Sequence, residues 1–174
     1  MGFTFETIAP ARIDEAAYMD VGYFATSIRN CAKAKALSVA DRRPEALVLG
    51  ADTVVVQGRK ILGKPANRDE ACAMLTALVN SRHRVYTGVA LVCKGSAFSA
   101  TALACTDVFF NDRTVDEIEA YVRLGEYHDK AGAYAIQGRA MTFVEKINGC
   151  YYNVVGLPVS KTIGVFTKYI RSLE

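Results

Sequence analysis

Asp52 is the side chain whose sequence context points most strongly to chemistry. It lies within residues 46–56, an almost wholly apolar run that predicts a central strand covered on both faces. Burying an unpaired carboxylate is costly, so this residue needs a partner. At the end of a strand in an α/β sheet the partner is usually a ligand or a metal ion, although backbone hydrogen bonds to a neighbouring loop are the alternative. We expect Asp52 to be functional and Thr53, the next residue, to contact substrate.

Two lysines are candidates for binding negative charge. Lys64 is the last residue but one of a segment, residues 58–65, that comes within one residue of a phosphate-binding P-loop. Pro65 stands where that loop needs a hydroxyl and a backbone N–H, so a P-loop is excluded. Lys64 is then either an anion contact or a solvated turn residue. Lys35 continues an apolar helical stripe, so it either extends to the surface or points into a negatively charged site.

Glu15 and Gln137 are weaker candidates when taken alone. Glu15 follows the N-terminal segment and on its own resembles an ordinary surface acid. Gln137 lies in a glycine-bracketed segment, where an amide can read a base edge or position water but usually bonds nearby backbone. The tyrosines 134, 151 and 152 are predicted to belong to the sheet core. The positions of the two histidines give no recognisable Ser/His/Asp or Cys/His catalytic set. This argues against serine-hydrolase and cysteine-protease mechanisms.

The elements that must position these residues alternate between strands and helices. The apolar periodicities predict helices at about 24–39 and 68–79, a third that a capping box opens at residues 114–117, and a last one from residues 157–158. Strand-like segments are residues 1–8, 46–56, 83–94, 97–111 and 140–156, with a hairpin turn at residues 94–96. This order predicts a single α/β domain with a mixed sheet flanked by helices.

Length and composition limit the class of protein. The 174 residues suffice for one domain, and 51% hydrophobic with 22% charged residues excludes a disordered or fibrous chain. We expect neither a membrane span nor a secretory leader. A net charge of +3 is too small for a nucleic-acid-binding surface but suits a small anionic ligand. The five widely spaced cysteines predict buried thiols of a reducing cytoplasm, without a disulfide framework or a zinc site.

A series of short motifs resembles one family in order along most of the chain. They are Gly50-Ala-Asp-Thr-Val-Val55, Leu62-Gly-Lys-Pro65, Glu70-Ala with Met74-Leu75, Thr87-Gly88, Asp129-Lys-Ala-Gly-Ala-Tyr134, Ile136-Gln-Gly138 and Asn153-Val-Val-Gly-Leu-Pro158. The series is similar to that of the Maf, or septum-formation-inhibitor, family of nucleoside triphosphate pyrophosphatases. The form around residues 133–138 resembles the branch that acts on dTTP and UTP.

The resemblance implies a fold, a reaction and roles for the candidate residues. The fold would be the Maf/inosine-triphosphatase-like arrangement with a nucleotide-binding cleft, usually as a homodimer. The reaction would be metal-dependent, with Mg²⁺ or Mn²⁺, and would cleave a nucleoside triphosphate, either dTTP or UTP or a modified nucleotide, into monophosphate and pyrophosphate. Asp52 would be the catalytic and metal-holding carboxylate, Lys64 and Lys35 phosphate-binding lysines, Glu15 a metal-side acid and Gln137 an active-site amide.

One part of the family pattern is not found in these residues. Members normally begin with an apolar strand and a Ser-x-Ser-Pro-Arg-Arg loop that contacts the phosphates, and this chain enters the pattern after that loop. We therefore expect an N-terminally incomplete domain with weakened activity. The alternative function is a nucleotide-binding regulatory protein linked to cell division.

Overall fold

The computed structural model describes residues 4–18 and 23–174. Its helices are α1 (Phe24–Ala40), α2 (Arg68–Leu78), α3 (Val115–Arg123), α4 (Tyr151–Val155) and α5 (Val159–Arg171). Its strands are β1 (Val48–Gln57), β2 (Lys60–Leu62), β3 (Arg82–Cys93), β4 (Phe98–Phe110) and β5 (Val144–Asn148). Short 3-10 turns occur at Glu15–Tyr18, Ala131–Ala133 and Arg139–Thr142.

The strands form one sheet in the order β2-β1-β3-β4-β5, and each pairing in the described part of the chain is antiparallel. The prediction of a mixed sheet is therefore wrong. Helix α2 does connect two strands that run in the same direction, β2 and β3, as a crossover helix would. These strands lie on either side of β1, however, so they do not pair with each other.

Helices cover both faces of the sheet, as the apolar character of β1 predicts. Helix α1 covers one face, where its alanines pack on β3 and its Ile28 packs on Val54 and Val56. The other face carries α2 and α3 over one end of the sheet and α5 over the other end. Because successive residues of a strand point to opposite faces, Asp52 and Thr53 face different layers.

Helix α1 lies unusually close to the sheet because two glycines lie beneath it. A Cβ at Gly50 would lie 2.5 Å from the Ala32 carbonyl oxygen, and one at Gly88 would lie 2.7 Å from that of Ile28. Gly88 is the residue of β3 that pairs with Asp52. The backbone of α1 is thus held against the part of the sheet that carries the candidate carboxylate.

Most elements lie where periodicity and capping predict them. Thr114 and Glu117 form the expected capping box at the start of α3, and β3 and β4 form the expected hairpin. The prediction of β structure over residues 140–156 is wrong outside β5, because a 3-10 turn precedes that strand and α4 follows it. Of the strand predicted over residues 1–8, residues 4–8 have no regular structure and residues 1–3 lie outside the described part.

All five cysteines lie within the described residues and are free. Their predicted burial is only partly right: Cys31 and Cys93 are buried, but Cys105 is exposed. Among the described residues, no helix is long and apolar enough to cross a membrane.

Candidate active site

Asp52 and Lys35 form an ion pair between β1 and α1. Asp52 is 7% exposed on the α1 face of the sheet, and the Lys35 Nζ lies 2.5 Å from its Oδ1. The neighbouring residues of the α1 stripe, Ala32 and Ala36, are buried against the sheet, which brings the lysine stem down with them. Of the two alternatives for Lys35, the structure shows the one in which it points at negative charge.

The second oxygen of Asp52 is available for chemistry. Oδ2 is buried and has no hydrogen-bond partner among the described residues. A buried carboxylate oxygen in this state lacks the compensation that such groups normally find, so a water, a ligand or a cation would stabilise it. Asp52 thus has one oxygen paired with Lys35 and one without a partner among the described residues.

A cleft of about 330 Å³ opens at the edge of β1. Strand β2 pairs only with Val55, Val56 and Gln57, so in the described part of the chain the earlier residues of β1 have a neighbouring strand on one side only. The cleft therefore reaches both faces of β1. Its lining comprises Lys35, Ala51, Asp52, Thr53, Val54, Val55, Gly63, Lys64, Val85, Asp129, Lys130, Ala131, Tyr134, Val154, Val155 and Gly156.

Two loops bring further charge to this cleft. Lys64 follows β2, and its Nζ lies 3.6 Å from Oδ1 of Asp129, with both side chains largely exposed. The Gly132 N–H donates to the Gly63 carbonyl at 3.0 Å, which joins the two loops through their backbones. Gly132 has φ +70°, and a Cβ there would lie 3.0 Å from the Val55 side chain, so the junction needs glycine. The result is a rim, joined through the backbones of its two loops, that carries Lys64, Asp129 and Lys130.

A neutral polar network supports the opposite wall. The Thr53 and Thr87 hydroxyls lie 2.9 Å apart, and Thr87 donates to the Asn153 backbone carbonyl at 3.1 Å. The Asn153 side chain is fully buried and donates to the Val85 carbonyl and to Thr106 Oγ1. These bonds fix α4 on the sheet, so residues 154–156 hold their position in the wall of the cleft.

A buried aromatic cluster lies behind the rim. The His83 Nε2 and the Tyr134 hydroxyl lie 2.8 Å apart, and both rings pack edge-on against Phe110. Burial lowers the pKa of His83 from 6.5 to about 4 and raises the pKa of the Tyr134 hydroxyl well above its usual value. Both groups are therefore neutral at pH 7, and we assign the cluster a supporting rather than a charged role.

Comparison with known proteins identifies the family. A family model described as Maf-like protein matches residues 1–169. The chain belongs to the Maf family. It is 48% identical over 134 residues to a dTTP/UTP pyrophosphatase of Desulforamulus reducens. The matched region covers 77% of this chain and 70% of that protein. It is also 51% identical over 129 residues to a dTTP/UTP pyrophosphatase of Geobacillus sp. (strain WCH70), covering 74% of this chain and 68% of the relative.

In this Maf protein, the structure brings four of the predicted site residues into one cleft. They are Asp52, Lys35, Lys64 and Thr53. Asp52 and Lys35 are in direct contact, Lys64 lies on the rim, and Thr53 lies on the opposite face of β1.

Two other predicted site residues are not brought together with them. Gln137 is exposed and is not part of the cleft lining in the described residues. The backbone of Glu15 lies in the turn Glu15–Tyr18, but its side chain lies outside what the structure describes. Of the three tyrosines predicted to be core residues, Tyr134 is buried, whereas Tyr151 and Tyr152 are exposed because α4 replaces the expected strand.

Sequence reasoning missed Asp129 and Lys130 as cleft residues. The available signal was their position directly before the glycine-containing run of residues 131–134. Asp129 has φ +57°, a backbone conformation that ordinary residues seldom adopt and that occurs more often at functional sites. That conformation is not visible in residue types, because aspartate is common at ordinary turns as well.

The donor set of the Maf cleft fits a divalent cation that is shared with a phosphate ligand. Among the described residues, no group of three His, Cys, Asp or Glu side chains could enclose a metal ion. The free Oδ2 of Asp52 nevertheless offers one carboxylate ligand beside the cleft. Mg²⁺ is commonly bound by one or two carboxylates together with water and substrate phosphates, so one free carboxylate oxygen is compatible with such binding.

Proposed function

We propose that this chain is a nucleoside triphosphate pyrophosphatase that hydrolyses dTTP and UTP to the monophosphate and pyrophosphate. The observation that carries the proposal is the Asp52 carboxylate, with one oxygen held by Lys35 and the other free, beside a cleft that also contains Lys64 and Lys130. The names of the relatives, at about half identity, support the choice of substrates.

The reaction makes demands that these side chains meet. Asp52 Oδ2 is free to accept a hydrogen bond from the attacking water and to orient it towards the α-phosphorus. Negative charge grows on the bridging oxygen that leaves with pyrophosphate, and cations placed in advance stabilise it. Lys64 and Lys130 supply positive charge from the rim, while Lys35 holds the carboxylate in position. Histidine and cysteine are not required for this chemistry.

We propose Mg²⁺ or Mn²⁺ as the cofactor, with Asp52 as its ligand from the described residues. The ion would neutralise phosphate charge and polarise the scissile phosphoanhydride. Glu15 is proposed as a second metal-side acid and Gln137 as a catalytic active-site amide, both by resemblance to the family.

We further propose that the protein is cytoplasmic and acts as a homodimer. The support for a dimer is an apolar stretch after β5 that includes Tyr151, Tyr152, Val155, Leu157 and Val159, each between 39% and 56% exposed. Surfaces of this kind are typical of protein contacts. Light scattering on the purified chain would measure the mass, and a monomer at micromolar concentration would contradict the dimer.

The function is tested by measuring pyrophosphate release from a panel of nucleoside triphosphates with Mg²⁺ or Mn²⁺. We expect turnover of dTTP and UTP, and an Asp52→Asn variant with kcat lower by roughly 100-fold to 1,000-fold, because the amide neither orients water nor binds a cation in the same way. Asp112→Asn, which replaces an exposed aspartate outside the cleft, is the matched control and should retain activity. Binding of dTTP without turnover under any of these conditions would instead favour a regulatory protein.

A further inference from the structure

Glu126 contacts the backbone of the segment that carries Gln137. It lies three residues beyond the end of α3, and its Oε2 accepts a hydrogen bond from the Arg139 N–H at 2.7 Å. This distance is at the short end for N–H···O bonds, as expected for an acceptor that carries charge. The Glu126 side chain thus joins the end of α3 to a backbone position 13 residues further along the chain.

A second hydrogen bond holds the other end of the same segment. The Ala135 N–H donates to the hydroxyl of Tyr121, a buried residue of α3, at 3.1 Å. Between the two anchors, the Gly138 N–H donates to the Ala135 carbonyl at 2.9 Å, which closes a turn with residues 136 and 137 at its centre. Ile136 is buried and Gln137 is exposed, so the turn places the amide side chain at the surface.

Gly138 makes the close approach of Glu126 possible. A Cβ at this position would lie 2.1 Å from Glu126 Oε2. The φ of Gly138 is −98°, a value that ordinary residues adopt, so glycine is needed here for space and not for its backbone conformation. The atom that occupies this space is the end of a flexible side chain, which can move aside. An alanine would therefore displace the carboxylate from the Arg139 N–H without disrupting the fold.

The turn adjoins the cleft along the chain. Tyr134, which directly precedes the first anchor, lines the cleft. Gln137 follows three positions later, so its backbone lies at most about 11 Å from that of Tyr134. Gln137 is outside the cleft lining in the described residues, so its distance from a bound nucleotide depends on where the turn is held.

We propose that Glu126 is a positioning residue for the reaction and that it acts by holding the turn that carries Gln137. The proposal rests on the proposed function, in which Gln137 is an active-site amide. A short amide side chain makes productive hydrogen bonds only from a fixed backbone, and a misplacement of about 1 Å can lower a rate by roughly 100-fold. Glu126 does not line the cleft in the described part of the chain, so it would act through Gln137 and not on substrate.

The first test compares three variants of the full chain on dTTP. Glu126→Ala removes the acceptor, so we expect kcat to fall about 10-fold with little change in KM. Glu126→Gln keeps an oxygen that can accept the Arg139 N–H and should recover most of the wild-type kcat. Failure to recover would overturn a role for this hydrogen bond. Glu119→Ala removes an α3 carboxylate whose ion pairs lie at the surface and is the matched control.

A double-mutant cycle shows whether Glu126 acts through Gln137. Gln137→Ala should lower kcat at least as much as Glu126→Ala does, and adding Glu126→Ala to it should cause no further loss. A general weakening of the fold would instead lower kcat in both backgrounds. Additive losses, or a Glu126→Ala variant with wild-type kcat, would therefore overturn the proposal.

Gly138→Ala tests the same contact from the other side. Its Cβ displaces the Glu126 carboxylate, so we expect a loss of kcat similar to that of Glu126→Ala and no further loss when the two changes are combined. Because only the end of a flexible side chain has to move, the urea midpoint should stay close to that of the wild type. A Gly138→Ala variant that lowers kcat equally with and without the Glu126 carboxylate would contradict the proposal.

NMR with α,β-imido-dTTP separates this proposal from the proposed function. The side-chain NH₂ signals of Gln137, assigned through Gln137→Ala, should shift when the nucleotide is added to the wild type and should not shift in Glu126→Ala. This result would support the proposal even if the wild type hydrolysed no triphosphate, an outcome that would overturn the proposed function alone. Hydrolysis of dTTP together with the same shift in wild type and Glu126→Ala would support the function and overturn the proposal.

Discussion

The two faces of β1 hold their polar side chains in different ways. On the α1 face, Asp52 is paired with one charged partner, and the contact depends on the close approach of a helix over Gly50 and Gly88. On the other face, Thr53 belongs to a neutral chain of hydrogen bonds that continues through Thr87 to Asn153. The charged face leaves a carboxylate oxygen without a partner beside the cleft. The neutral face uses its hydroxyl protons internally, and its unpartnered buried atoms are uncharged, Asn153 Oδ1 and His83 Nδ1. A candidate reactive carboxylate and a neutral hydrogen-bond network thus lie on opposite sides of one strand.

We expect the largest loss of stability from Asn153→Ala, which removes part of the hydrogen-bond network on the neutral face. Its amide is fully buried and donates to the Val85 carbonyl and to Thr106 Oγ1, so truncation leaves two buried acceptors without this donor. We expect the free energy of unfolding to fall by about 4 kcal/mol and KM to rise, because α4 loses its anchor. Urea denaturation and steady-state kinetics measure both, with Asn30→Ala on the exposed side of α1 as control. A loss below about 1 kcal/mol would show that the amide does not anchor the wall.

We expect a slightly smaller loss of stability on acidification, caused by His83 on the same face. Its pKa is lowered from 6.5 to about 4 by burial, so the unfolded chain takes up a proton at a pH where the folded chain does not. The penalty is absent above pH 6.5, grows as the pH falls, and reaches about 3 kcal/mol near pH 4. Because carboxylates also titrate in this range, the measurement is the difference between wild type and His83→Gln.

Denaturant titrations at several pH values between 4 and 7 provide that difference. The His83→Gln variant should lose less stability than the wild type on acidification. His128→Gln replaces an exposed histidine and should lose as much as the wild type. Parallel curves for wild type and His83→Gln would contradict the assignment.

The charged face is tested by Gly88→Ala. The added Cβ would lie 2.7 Å from the Ile28 carbonyl oxygen, so α1 must move away and carry Lys35 with it. We expect a loss of about 2 kcal/mol in unfolding free energy, as for other overpacked contacts, and a larger fractional loss in kcat than in Asn153→Ala. Gly164→Ala, where a Cβ meets nothing within 4 Å, is the matched control. A variant with wild-type kcat would mean that the close approach of α1 does not serve the Asp52–Lys35 pair.

The sequence predicted the charged face better than the neutral one, for a physical reason. A carboxylate in an apolar strand is expensive, so Asp52 and the stripe lysine Lys35 were conspicuous. Thr87 and Asn153 are uncharged residues that suit strands, turns or caps equally well, and their bonds join positions far apart in the chain. The antiparallel sheet was missed for the same reason, since periodicity identifies strands but not their neighbours.

We expect the smallest change in stability and activity at the rim. There, Asp129→Asn tests whether the exposed charges contribute as much as the buried Asp52–Lys35 pair. Lys64 and Asp129 are 3.6 Å apart and both largely exposed, so stability should change by less than about 0.5 kcal/mol. Removing the aspartate frees Lys64 for phosphate and takes one negative charge out of the cleft, and both changes favour a polyanion. We therefore expect KM for dTTP to fall about 2-fold at low ionic strength and the difference to vanish at high salt. A rise in KM that salt does not remove would instead show that Asp129 holds substrate or its metal ion directly, and the rim would then belong with Asp52 to the reactive part of the site.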